Sequence, residues 1–213
     1  MAPENITAFL LTAGYFGLFL GIFVETGFLI GVIVPGGESL VFTAGFLSSL
    51  GYFDIWIVML IVFAAAVLAD SLEYSFGRKY GPRIFTKGDS IFFDKEYILA
   101  AEAFYERHGG KTIIIARFLP FIRTLAPAFA GVGKMKYSYF VLYNIIGALL
   151  WSASVSLLGY YLGKVIPGAD QYALYIVLAI ATLSLLSPLL AVARNKRAKA
   201  RISKFVKDFF RSV

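Results

Sequence analysis

Four ionisable residues stand in otherwise apolar stretches of this chain. Glu25 and Glu38 belong to residues 25–50, and Arg117 and Arg123 to residues 112–133. A charge held in hydrocarbon costs about 2.5–3.5 kcal/mol on insertion scales, so it persists only where it faces a partner or a wet cavity. Each pair brackets a break in the backbone. Pro35, Gly36 and Gly37 lie between Glu25 and Glu38, which are 13 residues apart, and Pro120 lies between Arg117 and Arg123, which are six apart. On an unbroken helix the two arginines would point to separate faces, whereas a bend at Pro120 lets them converge. Broken helices expose N–H groups that attract anions, and arginine grips phosphate or carboxylate with two parallel bonds. The chemistry this predicts is a site for an anionic group (Arg117, Arg123) beside carboxylates that exchange protons (Glu25, Glu38). The competing reading is a structural Glu–Arg network that locks two folded-back segments together.

Other polar residues fall close by in the pattern. Asp70 and Tyr74 are four apart and share a helix face, with Arg78 one turn further on. They read either as support for the site or as helix-end residues at headgroup level. Asn144 is expected to make an interhelical hydrogen bond. Trp56 and Trp151 read as interface or packing aromatics.

Composition explains why these charges are conspicuous. The 213 residues are 59% hydrophobic and 15% charged, against about 45–50% apolar and 25% charged for soluble domains. A soluble chain of this size cannot bury that much apolar surface, so an all-α, polytopic membrane protein is expected. With no cysteine and one histidine, His108, disulfides, thiolate sites and histidine-rich metal centres are excluded. Residues 194–213 carry eight Lys/Arg against Asp208, which accounts for the whole net charge of +7. Such a basic tail reads as cytoplasmic and close to anionic lipid rather than as a nucleic-acid binder.

Uncharged or nearly uncharged runs predict spans at about 5–24, 54–77, 137–163 and 171–193. The first has no basic n-region, so it is expected to remain as a span. With the tail inside, Lys134 and Lys136 also fall inside, and so does the Lys/Arg-rich loop 78–111. Segment 112–133 must then enter and leave on one face as a re-entrant hairpin. The same reasoning makes 26–50 a hairpin entering from outside. Two opposed hairpin-plus-span units form an inverted-topology repeat; the alternative is six plain spans, two of them kinked. Residues 92–109 place Phe93, Tyr97, Ile98, Ala101, Phe104 and Tyr105 on one face, as an interfacial amphipathic helix would. Residues 1–193 thus read as one transmembrane domain and 194–213 as a basic, amphipathic cytoplasmic tail.

No phosphate-binding loop of the G-x-x-x-x-G-K-[ST] type occurs, nor H-E-x-x-H, G-x-S-x-G or a carboxylate-rich metal cluster. Neither enzyme activity, nor a metal, nor a cofactor is expected.

Three motifs carry a resemblance to a known family. They are Phe23-Val24-Glu25-Thr26-Gly27 followed by Pro35-Gly36-Gly37-Glu38-Ser39-Leu40; Ala69-Asp70-Ser71-Leu72-Glu73-Tyr74-Ser75-Phe76-Gly77-Arg78-Lys79-Tyr80-Gly81; and Arg117-Phe118-Leu119-Pro120-Phe121-Ile122-Arg123-Thr124, continuing to Ala130-Gly131, Asn144, Gly147 and Trp151. Over roughly residues 20–165 the chain resembles the DedA family, also called the VTT or SNARE-associated Golgi protein family. It departs from the family's usual Pro-Gly-Asp-Ser at Gly36-Gly37-Glu38-Ser39, where the acid is kept, and has Ala69-Asp70 for the usual Gly-Asp. The resemblance implies a fold with two opposed hairpins in a bacterial cytoplasmic membrane. It also implies transport of undecaprenyl phosphate or a phospholipid, with dependence on the proton motive force, and a required acidic pair and arginine pair that fall on Glu25, Glu38, Arg117 and Arg123. The expected partners are membrane lipids and protons, and a homo-oligomer stays open. An energy-independent scramblase, a small-ion or drug–proton antiporter and a purely structural protein are the competing functions.

Overall fold

The computed structural model describes residues 3–27, 37–85, 109–119 and 122–169, together with Gln171, Tyr172, Tyr175, Leu178, Ala179 and Thr182. Among these residues the chain is all helical. The elements are α1 (Pro3–Gly27), α2 (Gly37–Ser49), α3 (Ile55–Phe85), α4 (Lys111–Ala116), α5 (Ile122–Val132) and α6 (Tyr137–Val165). Pro35, Gly36, Pro120, the amphipathic segment 92–108 and the tail 194–213 lie outside the described residues, as does most of the span predicted at 171–193.

Among the described residues, two helices are long and apolar enough to cross a bilayer, Ile55–Tyr80 and Tyr137–Val165. The elements inside 26–50 and 112–133 are shorter. α2 has 13 residues, α4 six and α5 eleven, where a full crossing takes about 20. The expected break in the second segment is present, because the chain turns through Arg117, Phe118 and Leu119. One boundary differs materially. The span predicted to end at 77 continues as helix to Phe85, which puts Asp70 sixteenth of the 31 residues of α3. Intrahelical backbone bonds carry a helix through charged residues, so the end of an apolar run is not the end of the helix.

Local chemistry fixes the ends of these elements. Asp54 caps α3: its Oδ1 accepts from the backbone N–H of Trp56 (2.8 Å) and Ile57 (3.2 Å). Its own N–H donates to the Tyr15 hydroxyl at 2.9 Å, which ties the cap to α1. α2 and α5 finish with the same device. Gly51 N–H donates to Ser48 and Tyr52 N–H to Leu47, and Lys134 N–H donates to Gly131 and Met135 N–H to Ala130. These are Schellman closures, with Gly51 (φ 85°) and Lys134 (φ 50°) in the left-handed position.

Packing crosses between the two halves of the chain. α2 lies chiefly along α6, and α5 chiefly along α3. Both contacts use glycines that let backbones touch. A Cβ on Gly45 would overlap the Ser156 carbonyl, and one on Gly159 the Phe42 carbonyl. A Cβ on Gly77 would overlap the Ala128 carbonyl, and one on Gly131 the Tyr74 carbonyl. One buried cluster joins Ile22, Val41, Val58, Val62, Ala148 and Trp151; a second joins Tyr74, Ile113, Ala130 and Phe140. Large exposed apolar residues such as Trp56, Leu60, Leu149 and Leu158 cover the outside, as a lipid-facing surface requires.

Candidate functional site

The polar residues of the interior meet where α1, α2, α3, α5 and α6 approach one another. Arg123, in the first turn of α5, is held from three sides. Its Nη1 pairs with Glu38 Oε1 at 2.8 Å, and its Nη2 with Glu25 Oε1 at 3.5 Å. Its guanidinium carbon lies 4.9 Å from the centroid of the Trp151 ring. Glu25 comes from the last turn of α1, Glu38 from the first turn of α2 and Trp151 from α6. A carboxylate in the first turn of a helix is favoured by the helix dipole, which suits Glu38 to its place. Gly37 makes the approach of these groups feasible, since a Cβ there would overlap both Glu25 Oε2 and Arg123 Nη2.

Arg117 makes a different set of bonds. It is buried at 7% exposure, and its Nη2 donates to Asp70 Oδ2 and to Asn144 Oδ1. The amide of Asn144 donates in turn to the Val67 carbonyl at 3.4 Å. Asp70 and Asn144 therefore share the duty of orienting one guanidinium, and Asn144 is also the interhelical hydrogen-bonding residue expected from sequence. Two guanidinium groups face three carboxylates, so each buried arginine has a counter-ion, as burial demands, and the excess acid, Glu38, keeps a side chain 42% exposed.

Both arginines line one small pocket with Thr26, Ala66, Asp70 and Trp151. The space open to a water inside it is about 10 Å³, room for about one molecule. Little space is left beside the two guanidinium groups, while the Glu38 side chain stays 42% exposed.

The structure thus gathers all four sequence-predicted charges, but not as one cluster of two acids and two bases. Arg123 takes both glutamates, and Arg117 takes Asp70. Asp70 is 4% exposed in the middle of α3, which corrects its reading as a helix-end residue at headgroup level. Tyr74 is also buried, at 2%, and its hydroxyl donates to the Met135 carbonyl; Arg78 Nη1 donates to that hydroxyl at 2.9 Å and to the same carbonyl at 3.2 Å. These two residues pin the turn between α5 and α6 rather than lining the central pocket. The role of Trp151 exceeded its reading as a packing aromatic. The signal available was its spacing from Asn144 and Gly147, at i, i+3 and i+7 on one helix face.

A cation held over an aromatic ring in a desolvated site gains about 2 kcal/mol. Replacing Trp151 by Leu is expected to lower stability by about 2–4 kcal/mol through this loss and the void left behind. Trp151→Phe, which keeps a ring face, should lose about half as much. Thermal unfolding of the purified variants in one detergent measures both.

Comparison with known proteins places this geometry in context. The family model described as the VTT domain matches residues 33–161. Protein DedA of Escherichia coli K12 is 42% identical over 189 residues, covering 88% of this chain and 85% of that protein. An uncharacterized membrane protein of Mycobacterium leprae is 44% identical over 183 residues, covering 86% and 81% of the two chains. The inner membrane protein YghB of E. coli K12 is 33% identical over 193 residues, covering 87% of each. No solved structure matches the chain.

Proposed function

The chain belongs to the DedA family of VTT-domain membrane proteins, and from that premise we propose that it carries an anionic lipid head group across the bilayer, coupled to protons. The observation that carries the reading is the pocket shared by Arg117 and Arg123, the first paired with Asp70 and the second with Glu25 and Glu38. When Glu25 or Glu38 takes up a proton, its negative charge vanishes and its hold on Arg123 weakens. The freed guanidinium, with Arg117 beside it, then offers two forks to a phosphate. Loss of the proton on the other side restores the ion pairs and expels the head group. With room for about one water in the pocket, the phosphate enters only as the pairs part. No covalent step is involved.

Several features support an inverted repeat behind this cycle. Pro35 and Glu38 are three residues apart, as are Pro120 and Arg123. α2 and α5 close with the same turn, at Gly51 and Lys134. Each of these helices packs through a glycine on the long helix of the opposite half. On this reading Glu38 and Arg123 are counterparts that pair across the pseudo-two-fold axis. Segments 26–50 and 112–133 are the two hairpins, and the basic tail faces the cytoplasm from a bacterial inner membrane.

The test is transport by the full chain in phosphatidylethanolamine–phosphatidylglycerol vesicles, read with head-group-accessible labelled phosphatidylglycerol. Movement should rise with an imposed pH gradient and fall to the protein-free level in Arg123→Ala. Lipid movement indifferent to the gradient would make the protein an energy-independent scramblase. Proton flux driven by a small ion or drug, with no lipid moved, would make it an antiporter and overturn the reading.

A further inference from the structure

We infer that Arg78 and Lys79, with Ser75, Tyr74 and Tyr137, form a second lipid-phosphate site at one membrane surface, separate from the central pocket. These residues line an open niche of about 340 Å³ between α3 and the start of α6. Among the described residues, two cations and no carboxylate border it. Arg78 uses only Nη1 on the Tyr74 hydroxyl and the Met135 carbonyl. The Nε and Nη2 edge of its fork has no partner among the described residues, and that edge is the one that binds a phosphate with two parallel bonds. Because Nη1 is pinned, the fork is oriented in advance, which lowers the entropy lost on binding. Lys79 is exposed, its Nζ resting 5.4 Å from the centroid of the Tyr80 ring.

The surroundings select a lipid over a free anion. Phe76, Tyr80 and Tyr137 are 49%, 38% and 49% exposed beside the niche, and Phe76 stacks on Tyr80 with centroids 5.7 Å apart. Aromatic rings next to cations are the chemistry of the membrane interface. The depth agrees. Arg78 is eight residues along α3 from Asp70, or about 12 Å at 1.5 Å per residue. Half of a bilayer's hydrocarbon thickness is about 15 Å. On the transport reading, which sets the Asp70–Arg117 pair near the midplane, the Arg78 backbone stops about 3 Å short of that boundary and its long side chain covers the rest to the headgroups. Asp70, Tyr74 and Arg78 recur every fourth residue on one face of α3, so the niche and the central pocket lie along a single polar stripe. The ligand is the phosphate of an anionic glycerophospholipid, and the niche is its waiting position before the central arginines. This role rests on the lipid-transport reading; the binding itself does not.

The test uses the full chain in phosphatidylcholine vesicles doped with phosphatidylglycerol bearing a photoreactive head group, with cross-links mapped by mass spectrometry. Wild type should label at residues 75–80 and at Tyr137. Lys79→Gln removes one cation, and Ser75→Trp fills the niche without touching an ion pair. Lys79→Gln should lower labelling there by about tenfold, the loss expected for one charge-assisted contact, and Ser75→Trp, by steric exclusion, by at least as much. Excess inorganic phosphate should not compete. Undiminished labelling in both variants, or full competition by inorganic phosphate, overturns the lipid site. Labelling of wild type that moves no lipid keeps the niche and rejects the transport reading instead.

Discussion

Arg117→Ala should cost about 3–5 kcal/mol of stability, the usual penalty for leaving one member of a buried ion pair without its partner. Arg117 and Asp70 have side chains 8% and 5% exposed, so the stranded carboxylate cannot turn to water. Asn144 would also lose the donor that its Oδ1 accepts from. Asp70→Asn should be destabilising for the converse reason. Because the two changes remove the same interaction, the double variant Asp70→Asn/Arg117→Ala should lose less than the sum of the singles, by about 0.5–3 kcal/mol. Unfolding in detergent gives the cycle directly. A single variant within about 1 kcal/mol of wild type would place the pair in a solvated setting and defeat the interior assignment. Arg117→Lys separates folding from function: it keeps a charge for Asp70 but not the fork. It should therefore fold better than the alanine variant while moving lipid no better.

The second large effect is expected at a glycine that touches none of these charged side chains. In Gly159→Ala the new methyl would overlap the carbonyl oxygen of Phe42, a backbone atom that no side-chain rotation can move aside. α2 and α6 must separate, at about 1–3 kcal/mol for an overpacked contact, and Gly159→Leu should exceed that range. Because α2 carries Glu38 in its first turn, the displacement should also loosen the grip on Arg123. Transport should fall even at temperatures where the variant stays folded. The control is Gly17→Ala on α1, where nothing lies within 4 Å of the added carbon. It should be neutral, or stabilising by up to about 1 kcal/mol, since alanine loses less freedom than glycine in a helix. Equal behaviour of the two alanine variants would mean that α2 and α6 do not meet as described.

The class, the two long helices and the gathering of Glu25, Glu38, Arg117 and Arg123 were readable in the sequence, because ionisable residues in apolar runs survive only where broken backbone and opposite charge compensate them; the burial of Asp70 was not. Which acid serves which arginine was not readable. Glu25 and Glu38 lie in one segment and invite pairing with both arginines, yet Arg117 turns to Asp70. That choice depends on how far α3 continues, and the apolar run ending at Ala69 hid the fact that Asp70 stands in the middle of a helix reaching Phe85. The glycines through which the helices touch were not legible either. Gly45 meets Ser156 and Gly131 meets Tyr74, contacts between residues far apart in the chain that no local pattern encodes.

The crossed packing of the halves bears on how such a chain is born. α2 ends at Ser49 and its main companion, α6, begins at Tyr137, 88 residues later. At synthesis rates of about 5–20 residues per second, α2 spends roughly 4–18 s without the helix that covers its glycine face. For that interval the small-residue face around Gly45 lacks its packing partner and has to be covered by lipid or by the insertion machinery. The order of translation, and not only the final arrangement, is thereby placed under physical constraint.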